Sequence, residues 1–148
     1  MPNFPSTFIR LFTSFILGSI IGLERERKAR AAGLRTHILV CMGSCLIMLI
    51  SLYIYELYKD KAPLDPARIA AGVVTGIGFL GAGTIIRSRE GIRGLTTAAS
   101  IWVSSAIGLA VGCGFISAAL IVTLLTFLTL SYLRKVERKV TKDGGERK

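Results

Sequence analysis

The sequence predicts an all-α membrane protein of five transmembrane helices, and three observations carry that prediction. The chain has 148 residues, 51% of them hydrophobic, with a mean hydropathy of +0.58. Its charged fraction is 19%, against roughly 25% in an average soluble domain, and the charges are clumped. From Leu95 to Leu133 run 39 residues without one Asp, Glu, Lys, Arg or His. A soluble chain this short has no core wide enough to hide that run. A soluble enzyme and a disordered basic tail are both excluded, and the length allows one domain.

A spanning helix needs roughly 20 apolar residues to cross roughly 30 Å of hydrocarbon. The first span is Phe4–Leu23, with Arg10 as its only charge. The second is Ile38–Tyr58, charge-free up to Glu56, and the third is Ile69–Ile86. The charge-free run holds two more, Leu95–Val111 and Phe115–Leu133. They are divided at Gly112-Cys113-Gly114, because closely spaced glycines open tight loops. Ile121, Val122 and Thr123 favour strand locally, but open strands cannot cross lipid with unpaired backbone groups. The first span reads as a retained helix. Its basic cluster Arg25, Arg27, Lys28, Arg30 follows the apolar stretch, whereas a signal peptide carries its charge in front. Residues 1–133 form the transmembrane domain and 134–148 a short basic tail.

Lys and Arg gather on the cytoplasmic side of membrane proteins. Of the 19 basic residues, 15 fall in the loops Glu24–His37 and Arg87–Gly94 and in the tail. Placing these inside puts the N-terminus out and the C-terminus in. The net charge of +10 then divides into +9 inside and +1 outside. Such a surface meets anionic inner-leaflet lipids, and the charge needs no nucleic acid to explain it.

Membrane helices associate through small residues that permit close approach. Rows at helical spacing are Ser14, Gly18, Gly22 in the first span and Gly72, Gly76, Gly83 in the third. The fourth has Thr96, Ser100, Ser104, Gly108, Gly112. These rows predict a tight core of helices 1, 3 and 4, with helix 5 facing lipid. They exceed what five helices need internally, which predicts a homodimer. Gly76, Gly78, Gly81 and Gly83 place four glycines in eight residues, each weakening a helix by about 1 kcal/mol relative to Ala. A break there resembles the interrupted helices that form ion and substrate sites in transporters.

Cysteine and histidine offer little chemistry. Cys41 and Cys45 read as small apolar packing groups. There is no CxxC and a single His, so zinc ligation and a disulfide framework are not expected. His37 lies at a loop boundary without an oxyanion motif, and enzymatic catalysis is rejected. The charged residues at the span edges say more. Glu24 and Arg25 end the first helix, Arg35-Thr36-His37 opens the second, and Arg87, Arg89, Glu90 and Arg93 lie between the third and fourth. All converge on the inner surface, where Glu24 is expected to pair with Arg35 or Arg93. Interfacial anchoring explains the basic residues but not Glu24 and Glu26. On the outer side, Asp65 reads as an N-cap followed by Pro66 at the first helical position, with Arg68 beside it. Thr96 or Thr97 is expected to cap the fourth helix, whose N-terminus suits a phosphate or carboxylate group. No Asp or Glu lies in the middle of a span, which argues against a carboxylate-lined path for a divalent cation.

Three blocks of these residues resemble the MgtC/SapB family of bacterial inner-membrane proteins. The first is Gly18-Ser-Ile-Ile-Gly-Leu-Glu-Arg-Glu26 with Gly33-Leu-Arg-Thr-His37. The second is Asp65-Pro-Ala-Arg68 with Gly72-Val-Val-Thr-Gly-Ile-Gly-Phe-Leu-Gly-Ala-Gly-Thr84. The third is Gly94-Leu-Thr-Thr-Ala-Ala99 with Trp102 and Gly108. The likeness runs over roughly residues 15–115, and an ordered set of blocks is far more specific than one glycine motif. It implies a multi-pass plasma-membrane protein connected with magnesium homeostasis. Similar proteins are described as Mg²⁺ transporters, and others as modulators of membrane proteins, ATP synthase among them, linked to growth at low Mg²⁺ and survival inside host cells. Longer members carry a soluble C-terminal domain, so this chain reads as a short form.

Three function classes follow. A non-enzymatic membrane module acts by binding partner membrane proteins or itself. A permease lines a path with the Gly76–Gly83 segment and the Glu24, Arg35, Arg93 cluster. A membrane enzyme requires His37 close to Asp65 or Glu24. The first is the preferred reading; no cofactor is expected, beyond an interaction with Mg²⁺ that the resemblance suggests.

Overall fold

A computed structural model describes residues 3–61, 63–89 and 91–133. The expectations placed on Glu90 and on the tail 134–148 lie outside the described residues. Five helices run alternately up and down: α1 (Phe4–Arg27), α2 (Leu34–Tyr58), α3 (Ala67–Gly83), α4 (Leu95–Cys113) and α5 (Ile116–Leu128). A π-turn, Thr129–Leu133, extends α5. A short antiparallel hairpin, β1 (Ile86–Ser88) with β2 (Gly91–Arg93), joins α3 to α4, pairing Ile86 with Arg93 and Ser88 with Gly91.

The all-α membrane architecture is as the sequence predicts. Four helices are long and apolar enough to span a membrane: α1, α2, α4 and α5 with its π-turn. The third differs. It starts at Ala67 and stops at Gly83, 17 residues, or about 26 Å at 1.5 Å per residue. Ile86 leaves the expected span to pair in the hairpin. Gly94, at φ 92°, turns the chain back so tightly that a Cβ there would lie 1.9 Å from the Thr84 carbonyl oxygen. The expected break at Gly76, Gly78, Gly81 and Gly83 is absent: α3 is a regular helix through all four. Helical hydrogen bonds offset glycine's propensity cost once the segment leaves water.

The core also differs from the sequence prediction. Helices α1, α2 and α4 form it, and α3 packs at its side. Cβ atoms at Gly18 and Gly22 would lie 2.8 Å from the His37 carbonyl oxygen and 2.7 Å from Leu34 Cα, so α1 meets α2 backbone to backbone. At Gly108 the nearest atom is the Cys41 carbonyl oxygen, 2.1 Å away, and at Gly112 it is Met48 Cβ at 2.6 Å. Thus α4 also closes on α2. Small-residue spacing identified the contacting faces of α1 and α4 correctly but could not say which helix fills them. Leu17, Ile21, Cys41, Cys45, Ile107 and Val111 occupy the interior. Helix α3 buries one stripe only, Val73, Ile77 and Gly81, the last against Ala98. Helix α5 is exposed along Leu120, Ile121, Leu124 and Leu125, as its lipid-facing assignment requires. On α1, Phe4, Phe8, Phe12 and Phe15 form an exposed stacked row suited to hydrocarbon.

The turn expected at Gly112-Cys113-Gly114 is present. Gly114 adopts φ 92°, and Phe115 N donates to the Ala110 carbonyl oxygen at 2.8 Å. Arg10 from α1 donates to the Gly112 carbonyl oxygen at 2.7 Å, placing a cation on the negative end of α4. Arg10→Gln should therefore lower stability by about 1.5–3 kcal/mol, the range for a hydrogen bond to a charged group, read as the unfolding midpoint in detergent.

Candidate functional site

Helix α1 runs four residues past the end expected at Leu23. The extension carries Glu24 and Arg25 into the bundle, where both are buried. Each has a partner, one turn on for Glu24 and on α4 for Arg25. Lys28, one turn on, forms an ion pair with Glu24 Oε1. The same ammonium donates to the Leu130 carbonyl oxygen in the π-turn at 2.9 Å. Arg25 Nη2 donates to Thr97 Oγ1, at the start of α4, at 3.0 Å. Glu26 turns the other way: its Oε2 accepts the Leu34 backbone N–H at 2.9 Å. That carboxylate caps α2, because the residue at the cap position, Gly33, has no side chain to do so.

His37 completes the cluster. It is fully buried, with Nδ1 2.8 Å from the Gly33 carbonyl oxygen and Nε2 3.1 Å from Ser100 Oγ. Ser100 Oγ also lies 2.8 Å from the Thr97 carbonyl oxygen. The imidazole and the hydroxyl share these three contacts. With Nδ1–H on Gly33, Ser100 donates either to Nε2 or to Thr97. The imidazole is thus a pin between α2 and α4. Ser44 and Ser105 add a second such pin, with their hydroxyls 2.9 Å apart. Charged and hydroxyl groups from α1, α2, α4 and the end of α5 therefore close one end of the bundle. Glu24 Oε2 is buried there without a hydrogen-bond donor among the described residues.

Of the residues singled out from sequence, Glu24, Arg25 and Thr97 are brought together. The expected pairing of Glu24 with Arg35 or Arg93 is replaced by Lys28, because an i,i+4 partner on the same helix needs no movement of a loop. Arg35 is exposed and Thr36 half-buried at the start of α2, and Arg93 is exposed on β2. Neither Thr96 nor Thr97 caps α4: Gly94 holds the cap position, Thr97 is taken by Arg25, and Thr96 faces outward. Gly76, Gly78 and Gly83 are exposed, and an added Cβ at each meets nothing within 4 Å. Asp65 and Arg68 lie at the opposite end. Pro66, and not Asp65 as expected, holds the cap position of α3, because the helix starts one residue later; Asp65 Oδ1 still accepts the Ala67 N–H at 2.8 Å from the residue before the cap. Together with Ser51, Tyr55 and Pro66 they line a cleft of 220 Å³. Outside the spans at that end, hydrogen bonding to Glu56, at 2.6 Å, holds the Lys59 ammonium above its usual range.

Sequence reasoning missed Lys28, His37 and Ser100 as site residues. The i,i+4 spacing of Glu24 and Lys28 was a usable signal. His37 was discounted as a boundary residue, and only the packing of α2 on α4 makes it a core residue. No group of three or more His, Cys, Asp or Glu side chains that could hold a metal ion exists among the described residues.

Comparison with known proteins adds a lineage to this geometry. The model of the MgtC family matches residues 11–139. YhiD of Escherichia coli (strain K12), named "Putative magnesium transporter YhiD", is 45% identical over 130 residues, covering 86% of this chain and 60% of that protein. SapB of Bacillus subtilis (strain 168) is 36% identical over 148 residues, covering 97% of this chain and 63% of that protein. MgtC of Salmonella typhimurium (strain LT2) is 39% identical over 132 residues, covering 89% and 54% respectively. The chain therefore spans about three fifths of the length of these relatives. No solved structure matches.

Proposed function

The chain belongs to the MgtC family, and from that premise we propose a non-enzymatic plasma-membrane module that serves magnesium homeostasis by acting on partner membrane proteins. The family and the four long apolar helices establish a multi-pass membrane protein. The observation that carries the modulator reading is the closure of the bundle. Helices α2 and α4 meet backbone to backbone at Gly108. Charged and hydroxyl groups seal one end through Glu24–Lys28, Arg25–Thr97 and His37–Ser100. A water-filled path needs room that this contact removes. The open face of α3, where Gly72 and Gly76 meet nothing within 4 Å, supports contact with another helix, a second copy of the chain included.

The test is flux in proteoliposomes. The expected result is Mg²⁺ uptake equal to that of protein-free vesicles. A saturable Mg²⁺ flux that Glu24→Gln abolishes overturns the reading in favour of a transporter. That second reading is supported by the E. coli relative, which is named for magnesium transport.

The charged end is proposed to face the cytoplasm. Cys113 is exposed at the opposite end, while Cys41 and Cys45 are buried. A membrane-impermeant maleimide should therefore label Cys113 on intact spheroplasts and leave it unmodified in sealed inverted vesicles. The reverse pattern would invert the topology.

A further inference from the structure

The cleft of 220 Å³ at the end opposite the buried charged cluster lies between the last turns of α2 and the segment that leads into α3. Pro63 and Pro66 in its lining fix the backbone torsion φ at two points of that segment. The buried Ser51 hydroxyl of α2 donates to the Pro66 carbonyl oxygen and holds the segment in place. The cleft is therefore shaped before any ligand arrives. It is smaller than the roughly 300–1,000 Å³ of sites for drug-sized ligands, so it suits a small polar group. Two opposite charges line it, the carboxylate of Asp65 and the guanidinium of Arg68. They stand three residues apart, yet they form no ion pair with each other, and Arg68 forms none with any other described residue. Asp65 Oδ1 is turned onto the Ala67 N–H at 2.8 Å, which leaves Oδ2 for a ligand. Glu56 and Lys59, at the end of α2, satisfy each other and do not compete for these two groups.

We propose that this cleft binds a zwitterion with a primary ammonium and an oxyanion, the chemistry of a phosphoethanolamine group. The oxyanion meets Arg68, whose guanidinium offers parallel N–H donors that match a phosphate or carboxylate. The ammonium donates to the Asp65 carboxylate. Charge balance selects this class. One charge of each sign lines the cleft, so a bare anion answers Arg68 alone and a bare cation answers Asp65 alone. A divalent metal ion lacks ligands, because Asp65 is the one carboxylate in the lining among the described residues. Leu64 and Ile69 border the same cleft and are each 39% exposed, which gives the methylene part of the ligand an apolar contact. The group has two sources, the headgroup of phosphatidylethanolamine in the leaflet at this end or a free zwitterion in the water beside it. The site requires neither a partner protein nor Mg²⁺, so its failure leaves the modulator reading untouched.

The experiment places the full chain in nanodiscs of phosphatidylethanolamine and phosphatidylcholine in equal parts, extracts it into mild detergent and reads retained lipid by native mass spectrometry. Both lipids are zwitterionic, but the quaternary ammonium of phosphatidylcholine has no N–H for Asp65. Phosphatidylethanolamine should be retained over phosphatidylcholine by about tenfold, a 1.4 kcal/mol preference. Asp65→Asn keeps an oxygen for the Ala67 N–H, so α3 should start as before, while the preference falls to about one. Arg68→Gln should lower the retention of both lipids with the far-ultraviolet helical signal unchanged. A second arm adds free O-phosphoethanolamine to the protein in phosphatidylcholine alone. Binding that Asp65→Asn abolishes assigns the site to a free zwitterion; no binding, with phosphatidylethanolamine still retained, assigns it to the lipid headgroup. Equal retention of the two lipids together with no binding of the free compound overturns the proposal. So does a preference for phosphatidylethanolamine that Asp65→Asn leaves unchanged.

Discussion

Replacing Lys28 by Ala should destabilise the protein by about 3 kcal/mol, the lower end of the range for breaking a buried ion pair. The Glu24 carboxylate is 4% exposed and Lys28 is 29% exposed. Removing the cation therefore leaves a charge that water cannot reach, and Glu24 Oε2 already lacks a donor. The lysine also ties α1 to the end of α5 through the Leu130 carbonyl oxygen, so α5 should loosen with it. The double variant Glu24→Gln/Lys28→Ala removes the stranded charge and should recover part of the loss. A coupling energy of about 1–3 kcal/mol between the two positions is expected from SDS unfolding midpoints of the four proteins. Additive losses would show that the pair contributes nothing beyond each side chain alone.

Gly108→Ala and Gly76→Ala should change stability in opposite directions. Both replace a helical glycine by the best helix former, a propensity gain of about 1 kcal/mol. At Gly108 the new methyl group meets the Cys41 carbonyl oxygen at 2.1 Å, with Ser44 Cβ at 2.9 Å. A backbone carbonyl cannot rotate away, so α2 and α4 must separate. Overpacking costs about 1–3 kcal/mol, and this site stands at the top of that range because the obstacle is backbone. At Gly76 nothing lies within 4 Å, and the propensity gain is unopposed. The same unfolding assay on detergent-solubilised monomer decides both. A Gly108→Ala protein as stable as its parent would contradict the close contact of α2 and α4.

Much of the architecture was legible because lipid imposes simple rules. A charge-free run of apolar residues has to be helix, and the glycines at 112 and 114 mark where the run must turn. That Asp65 serves the start of α3 was equally readable, since the two are adjacent in sequence, although Pro66 takes the cap position itself. The hairpin Ile86–Arg93 was not, because a three-residue strand leaves no periodicity, and Ile85 and Ile86 look like the end of a span. Reading the fourteen-residue segment from Glu24 to His37 as a loop also hid the site. In the structure α1 continues to Arg27 and α2 begins at Leu34. Glu24, Arg25 and His37 are thereby helical and buried.

Composition and patterning by themselves determine the class of protein, the number of helices, the alternation of their direction and the small-residue faces they present. These depend on one helix at a time meeting hydrocarbon, so local sequence suffices. Which face meets which helix was decided only by the tertiary structure. Gly18, Gly22, Gly108 and Gly112 all turn to α2, while Gly72 and Gly76 on α3 meet nothing within 4 Å among the described residues. The choice of Lys28 for Glu24, Thr97 for Arg25 and Ser100 for His37 was decided the same way. Lipid is as apolar as the side chains it competes with, so hydrophobicity cannot rank helix pairings. Close fit and the satisfaction of buried polar groups rank them, and both are properties of the assembled bundle.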